Sequence, residues 1–139
     1  MTTPTSAPAQ FVATGLVALG GGVGAVLRYQ SGRVLTGLLG PATMTAFPYA
    51  TLAVNVVGSL AMGLLAGWLA RHGAASETWR LLIGVGLLGG FTTFSAFSLE
   101  LMLLIERGQA STAFAYALIS VLAGVTALYV GLIVMRVAA

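Results

Sequence analysis

Four long apolar stretches, separated by short polar ones, dominate the hydrophobic pattern of this chain. Each stretch supplies close to the ~20 residues that a helix needs to cross the hydrocarbon core of a bilayer. The pattern therefore predicts an all-α integral membrane protein with four transmembrane helices. These helices are expected at about 11–39, 49–70, 81–105 and 113–135.

The first ten residues differ in composition from the apolar stretches, because 1–10 is rich in Pro, Ser, Thr and Ala. Such a composition at a chain end is typical of a disordered tail. Residues 11–139 are predicted to form a single four-helix transmembrane domain, since no internal repeat is long enough to be a second copy.

The composition favours lipid over water as the solvent. Only 6% of the residues are charged and 58% are hydrophobic, whereas about a quarter of the residues of a soluble domain are charged. The six arginines are scattered singly between apolar runs and form no patch for a phosphate backbone, so we expect no nucleic-acid partner. The chain has no Cys, which excludes a disulfide, a thiolate nucleophile and a Cys-ligated metal site.

The arginines divide evenly between the two sides that four crossings define. Arg71, Arg80 and Arg136 fall on one side, and Arg28, Arg33 and Arg107 fall on the other. Because the orientation of a membrane protein follows an excess of Lys and Arg on one side, this even distribution predicts no preferred orientation. A chain without a bias can insert both ways, which allows an antiparallel homodimer, although weak bias also occurs in proteins that insert in one orientation only.

Small residues recur at four-residue spacing in three of the helices. The pairs are Gly20 and Gly24, Gly63 and Gly67, and Gly86 and Gly90. Each pair puts two glycines on one helix face, where neighbouring backbones can approach closely. The spacing favours tight packing over direct chemistry. Because four short helices make a thin bundle, we also expect oligomerisation.

Two polar residues stand out inside the apolar segments. Asn55 is the only Asn of the chain and marks either a helix–helix hydrogen bond or a pathway. Glu100 lies in apolar sequence of the third helix, where an ionisable group is a candidate for a pathway or gating role. Alternatively, Glu100 lies near the interface and pairs with Arg107.

The most informative stretch runs from Gly89 to Ser98 and has the sequence G-G-F-T-T-F-S-A-F-S. Two adjacent glycines followed by β-branched threonines favour unwinding, which the membrane tolerates only where the backbone is buried in protein or lines a cavity. Freed carbonyls at such a position can hold a cation. The alternative is an intact helix whose threonine hydroxyls bond to carbonyls one turn earlier.

Aromatic and hydroxyl residues alternate beyond these glycines. Phe91, Phe94 and Phe97 recur every three residues, and Thr92, Ser95 and Ser98 recur likewise beside them. An aromatic stripe alone usually serves packing, but ring edges carry partial positive charge and hydroxyls are donors, so together they can solvate a small anion. No fixed arginine stands in this track to hold the anion too tightly. Arg28 and Arg33, near the end of the first helix, are candidates for an anion vestibule.

From about Gly15 to Met135 the chain resembles the Fluc (CrcB) family of fluoride channels. Three elements carry the resemblance: Gly20 through Gly24 leading to Arg28-Tyr29, then Pro48 to Leu52 with Asn55 and Gly58, and G-x-x-G-G-F-T-T-F-S-A-F at 86–97. The last string is highly specific. Two departures are Ala96, where the family usually has a hydroxyl residue, and Ala50, where it often has Gly.

The resemblance implies a passive channel in the bacterial inner membrane that exports cytoplasmic fluoride and gives fluoride resistance. It also implies an antiparallel, dual-topology homodimer with two pathways, each built from both subunits. Carried onto this sequence, the fluoride pathway consists of Asn55, Thr93, Phe94, Ser95, Phe97 and Tyr116. The third helix would be broken in mid-membrane, and the backbone carbonyls of Gly89 and Thr92 would hold a structural Na⁺ at the dimer centre.

Two rival functions use the same overall architecture, and neither is an enzyme, since no nucleophile or acid–base pair is visible. A small proton-coupled multidrug transporter centres on a carboxylate in its first helix, but this chain has no acidic residue before Glu77. A non-transporting membrane assembly subunit would use the glycine pairs without requiring the Thr-Phe-Ser track.

Overall fold

The computed structural model describes residues 7–72 and 77–138, and within these ranges every regular element is helical. The elements are α1 (Ala7–Leu39), α2 (Pro41–Ala46), α3 (Tyr49–His72), α4 (Glu77–Trp79), a π-helical segment (Arg80–Leu88), α5 (Gly89–Phe91), α6 (Phe94–Glu106) and α7 (Ala110–Val137). Four spans are long and apolar enough to cross a membrane: α1, α3, the third span Glu77–Glu106, and α7. The predicted all-α class with four such spans is confirmed.

The helices extend slightly beyond the apolar runs that predicted them. The first begins at Ala7, so residues 7–10 of the predicted tail are helical, while 1–6 lie outside the described residues. Likewise, α7 already begins at Ala110. The extension has a simple cause: the backbone hydrogen-bond ladder continues through polar residues at helix ends, whereas a hydrophobic pattern registers only the apolar part.

Glycine and proline fix two of the turns that the structure describes. Gly40 has a φ of 82°, which costs a glycine nothing, and Pro41 begins α2, where its missing N–H is not needed. Gly108 has a φ of 75° between α6 and α7. These turns allow α3 to run back beside α1 and α7 beside α6.

The glycine pairs bring helix backbones into direct contact within one chain. Along α3 and α7, a Cβ atom on Gly63 would collide with the Leu128 carbonyl, and one on Gly131 would collide with the Leu60 carbonyl. The same packing recurs where α1 runs against the third span, because a Cβ atom on Gly24 would collide with the Leu87 carbonyl. The predicted packing role is confirmed, and these pairs need no second subunit to fulfil it.

Little of the chain is buried, and one cluster of buried side chains makes up most of the core, while Val54 and Leu88 are buried outside it. Leu104, Ala113 and Tyr116 form that cluster, with Tyr116 fully buried and Phe97 packed against it. Large apolar side chains elsewhere face outward along α1, α3 and α7. In water this would be an aggregation-prone surface, whereas lipid is a fitting environment for it.

Candidate functional site

The backbone leaves the helical conformation at Thr92 and Thr93, which we call the junction. Thr92 has φ −82° and ψ 157°, and Thr93 has φ −151° and ψ 119°. Just before the junction the helix is already loosened, since the N–H of Gly89 donates to the Gly84 carbonyl five residues earlier. Thr93 then caps α6, because its hydroxyl accepts the N–H of Ala96 at 3.2 Å.

Polar side chains from two other helices reach the junction. The side-chain amide of Asn55 on α3 donates to the Thr93 carbonyl at 3.1 Å and accepts the Thr93 N–H at 2.8 Å. From α1, Nη1 of Arg28 donates to the Thr92 carbonyl at 3.4 Å. Of the two interpretations of Asn55 made from the sequence, the interhelical hydrogen bond is therefore present.

The hydroxyl groups of the third span do not form the continuous track that a period of three predicted. The hydroxyl of Thr92 donates to the Leu88 carbonyl at 2.8 Å, and that of Ser98 donates to the Phe94 carbonyl at 2.9 Å. The hydroxyls of Thr93 and Ser95 instead lie 3.2 Å apart. The extended junction shifts the phase of the residues beyond it. The adjacent hydroxyls are those of Thr93 and Ser95, the two hydroxyl residues that the family resemblance assigned to the pathway.

Aromatic rings continue the site away from the junction. The ring centroids of Phe94 and Phe97 lie 5.6 Å apart, and those of Phe97 and Tyr116 lie 5.2 Å apart. Phe94 is 77% exposed although it adjoins the buried Tyr116 cluster. Within a single chain, one end of this aromatic row is thus uncovered and the other end is enclosed.

Glu100 ends the row and is held by two hydroxyl donors. The hydroxyl of Thr51 donates to Oε1 at 2.6 Å, and that of Tyr116 donates to Oε2 at 2.7 Å. Arg107 instead donates to the Thr45 carbonyl at 3.2 Å. Within residues 7–72 and 77–138, the ion pair found is the exposed one between Arg80 and Glu77, so the sequence-based alternative of a Glu100–Arg107 pair is not the observed arrangement.

Two residues of this site were not predicted from the sequence. Thr51 is buried at 7% exposure and donates to Glu100. The hydroxyl of Ser120 is a buried side-chain atom without a hydrogen-bond partner among the described residues. Both could have been found from spacing, since Thr51 precedes Asn55 by four residues and Ser120 follows Tyr116 by four, which places each pair on one helix face.

Three recesses surround the site. One of about 510 Å³ is lined by Arg28 and Arg33 together with Thr93, and one of about 280 Å³ is lined by Asn55, Phe94 and, again, Thr93. A third, of about 240 Å³, reaches Glu100. The second and third recesses therefore lie at the two ends of the row of Phe94, Phe97, Tyr116 and Glu100.

The predicted site residues thus come together around one feature. Asn55, Thr93, Ser95, Phe94, Phe97, Tyr116 and Glu100 form a connected series of contacts, and Arg28 meets the junction from the opposite side. A junction of extended backbone and a carboxylate held between apolar spans define a multi-pass membrane protein with a polar site among its helices.

The chain belongs to the CrcB family. The family described as "CrcB-like protein, Camphor Resistance (CrcB)" matches residues 15–132. This match includes every residue of the site and confirms the resemblance seen in the G-x-x-G-G-F-T-T-F-S-A-F string.

Named relatives carry one description. The "Fluoride-specific ion channel FluC" of Novosphingobium aromaticivorans is 60% identical over 124 residues, which cover 89% of this chain and 96% of that protein. The protein of the same name from Erythrobacter litoralis is 56% identical over 121 residues, covering 86% of this chain and 89% of the relative. The one from Phenylobacterium zucineum is 56% identical over 122 residues, covering 87% and 93%.

Proposed function

We propose that this chain forms a fluoride-selective passive ion channel that lets cytoplasmic fluoride leave the cell down its electrochemical gradient. In an acidic medium fluoride enters as neutral HF, dissociates inside and is trapped as the anion, so an exit route gives fluoride resistance. The membrane concerned is the bacterial inner membrane. The relatives named as fluoride-specific channels support this function, because they match nearly the whole chain.

The single observation that carries the proposal is the row of weak donors between two recesses. It runs from Asn55 and Phe94 past Phe97 and Tyr116 to Glu100, and no Lys or Arg stands within it. Hydroxyl groups and aromatic edges stabilise a small anion without binding it permanently, which is what conduction requires. Arg28 and Arg33 line a neighbouring recess, where their charge would raise the local concentration of anions.

Asn55 retains a donor for the pathway even though it bonds to the junction. Its side-chain amide has two N–H groups, and one of them is directed to the Thr93 carbonyl. The other N–H would serve an anion in the recess that Asn55 and Thr93 both line, and the hydroxyl of Thr93 lies 3.2 Å from that of Ser95. Ala96 supplies no further hydroxyl, so these groups make up the donor set at this end.

Glu100 requires a separate account, because a fixed carboxylate repels an anion. Thr51 and Tyr116 both donate to it, and these same hydroxyls would become donors to fluoride if the carboxyl group turned toward the recess that it lines. This exchange of partners gives Glu100 the proposed gating or pathway role. It would also free the hydroxyl of Tyr116 for the conduit.

An antiparallel homodimer would complete this site. Phe94 is 77% exposed in one chain, and a pathway for a dehydrated anion must exclude lipid from that ring. A second copy related by twofold symmetry would cover it and would create two equivalent pathways. The even distribution of arginines, with three on either side of the membrane, permits the opposite orientations that such a dimer needs.

The junction fits a structural sodium ion at the dimer centre. The Thr93 N–H, which would close a helical bond to the Gly89 carbonyl, is given to Asn55 instead, so the Gly89 carbonyl loses its helical donor. Unwound carbonyls of this kind are sodium ligands. One chain offers the carbonyl of Gly89 and that of Thr92, which already accepts from Arg28 at 3.4 Å and would use its second lone pair for the ion. Two carbonyls are too few ligands for a hard cation, and a symmetric partner would double them in the middle of the membrane.

Ion efflux from liposomes tests the proposed function. Purified protein is reconstituted into vesicles loaded with fluoride or chloride, and release is followed with ion-selective electrodes. We expect rapid fluoride release and negligible chloride release from the natural sequence. Phe11→Ala, which removes an aromatic ring that is 78% exposed at the far end of α1, should conduct like the natural protein.

Absence of fluoride release from inserted dimers would overturn the proposal. Drug-dependent proton uptake that is lost in Glu100→Gln would then indicate the proton-coupled transporter. If the protein shows neither fluoride efflux nor drug-dependent proton uptake, the remaining candidate function is that of a non-transporting assembly subunit.

A further inference from the structure

Two side chains grip consecutive peptide groups of the junction from opposite helices. Asn55 pairs with both backbone groups of Thr93, at 2.8 and 3.1 Å, and Arg28 donates to the carbonyl of Thr92 at 3.4 Å. The two bonds of Asn55 imitate those that a neighbouring β-strand would make to an extended residue. No other helix turn of the described chain receives side-chain bonds of this kind on two successive peptide groups.

These bonds replace the ones that a continuous helix would make. In a helix, the Thr93 N–H would donate to the Gly89 carbonyl. Between membrane spans, an extended residue with unpaired backbone groups would revert to the helix, because unsatisfied groups are costly away from water. Asn55 removes this cost by hydrogen-bonding the N–H and the carbonyl of Thr93. Thr93 is 8% exposed and therefore has little access to solvent.

The glycine face of α1 delivers Arg28 to the junction. Gly20, Gly24 and Arg28 are spaced by four and share one helix face. Side chains at the first two positions would collide with the Leu82 and Leu87 carbonyls of the third span. Because Gly20 and Gly24 have no side chains, the two backbones can pack closely there. Arg28, the next residue on this face, carries the long side chain that bonds to Thr92.

We propose that Asn55 and Arg28 are positioning residues that together clamp the junction in its extended conformation. The clamp keeps the Gly89 carbonyl from recovering its helical donor. Its purpose rests on the proposed function, since a cation site and a conduit both need the open junction. The clamp itself is a property of the chain that can be measured without fluoride.

Threonine labelling offers a direct reading of both bonds. In protein labelled with ¹³C and ¹⁵N only at threonine, a carbonyl-carbon-to-nitrogen correlation between successive residues arises from Thr-Thr pairs. The chain has two such pairs, Thr2-Thr3 and Thr92-Thr93. The second peak reports the Thr92 carbonyl, which accepts from Arg28, and the Thr93 nitrogen, which donates to Asn55.

Solid-state NMR of the reconstituted protein then tests each half of the clamp. Asn55→Ala should move the Thr93 nitrogen coordinate and turn the Thr93 Cα and Cβ shifts from extended toward helical values. Asn55→Asp keeps the acceptor atom and should retain the nitrogen coordinate more closely. Arg28→Met should move the Thr92 carbonyl coordinate, and Arg28→Lys, which keeps a cationic donor, should restore most of it.

The controls separate the clamp from general destabilisation. Arg33→Met removes the same charge from the same recess, but Arg33 lies over the Tyr29 ring, so the Thr92-Thr93 peak should stay in place. Ser59→Ala is the matched control on α3, one turn beyond Asn55 in the same recess. The Thr2-Thr3 peak serves as a reference within each sample.

An unchanged Thr92-Thr93 peak in folded Asn55→Ala and Arg28→Met would overturn the clamp. Equal movement of the peak in the Arg33 control would overturn it as well. If Asn55→Ala does not insert, the comparison of Arg28→Met with Arg28→Lys decides the matter. If the protein conducts fluoride but the NMR test fails, only the clamp is rejected. If the NMR test succeeds but the protein does not conduct fluoride, only the proposed function is rejected.

Discussion

Two helix contact regions of this molecule share one sequence pattern, but the arginine of the pattern has different surroundings in each. Along α3, Gly63, Gly67 and Arg71 are spaced by four, and along α1 Gly20, Gly24 and Arg28 are spaced in the same way. In both regions the glycines bring backbones together. Arg71, in the last turn of α3, is exposed, whereas Arg28 is half-buried within α1 and bonds to the junction.

The helices that the glycines contact also differ. On the α3 side the partner is α7, which stays helical from Ala110 to Val137. On the α1 side the partner is the third span, whose backbone loosens and then leaves the helix at Thr92. Glycine spacing therefore predicts close packing in both places, but the arginine that follows the glycines bonds to a backbone carbonyl where the opposing backbone is irregular.

Adding a methyl group to either glycine face should have the largest effect. We expect Gly24→Ala and Gly131→Ala to destabilise the fold strongly, because overpacking costs about 1–3 kcal/mol even where side chains can yield, and here the added Cβ meets backbone. Thermal denaturation in detergent and the yield of monodisperse protein measure the loss.

Gly22→Ala is the control for both variants, since a Cβ atom there meets nothing within 4 Å, and it should be neutral or slightly stabilising. The comparison between the two regions fails if Gly24→Ala is as stable as Gly22→Ala.

Substitutions of exposed aromatic residues distinguish a role in conduction from a role in packing. Because Phe94 is 77% exposed in one chain, Phe94→Ala should leave the thermal stability of the protomer nearly unchanged, yet fluoride efflux should fall by a hundredfold or more, equivalent to ~3 kcal/mol of barrier. Phe114→Ala on α7, which removes a ring that is 71% exposed, should keep both properties. Equal efflux from the two variants would remove Phe94 from the pathway.

The hydroxyl donors to Glu100 should have an intermediate effect. Tyr116→Phe and Thr51→Val each remove one hydrogen bond to this carboxylate, and leaving a partly buried charge with one donor fewer costs about 1–3 kcal/mol. We expect fluoride efflux to fall by about tenfold in each variant. The double variant distinguishes a shared role from separate ones, since a loss no greater than that of either single change would mean that both act through Glu100.

Much of this architecture was predictable from the sequence, because hydropathy reports directly on the lipid solvent. The four spans follow from the apolar runs, and the loosened stretch at Gly89 to Thr93 is one of the two alternatives that its sequence allowed. Asn55 and Glu100 could be selected as candidates because polar residues are rare in these runs. The partners of those residues did not follow. Which hydroxyl meets Glu100 depends on the rotation of α3 and α7 about their axes, and the glycine contacts that fix this rotation involve residues far apart in the chain.

The hydroxyl track illustrates why a prediction from spacing alone was wrong, although the family resemblance named Thr93 and Ser95. A period of three assumes one continuous helix through Thr92, Ser95 and Ser98, and two extended residues are enough to break that assumption. The distinction between Arg28 and Arg71 was equally hidden, since their local sequence patterns are the same. Only the structure of the opposing helix distinguishes them.

The smallest expected effect tests the pair of Thr93 and Ser95 hydroxyls. Ser95→Ala removes the hydroxyl that lies 3.2 Å from that of Thr93, and we expect a fluoride efflux several-fold below that of the natural protein. Ser98→Ala removes a hydroxyl that already donates to the Phe94 carbonyl of its own helix, so efflux should remain unchanged. Both serines lie in the same span and lose the same group, which makes each the control for the other. If Ser98→Ala were the more damaging change, the third span would conduct as an uninterrupted helix, and the contrast between the junction and the regular α3–α7 packing would lose its functional meaning.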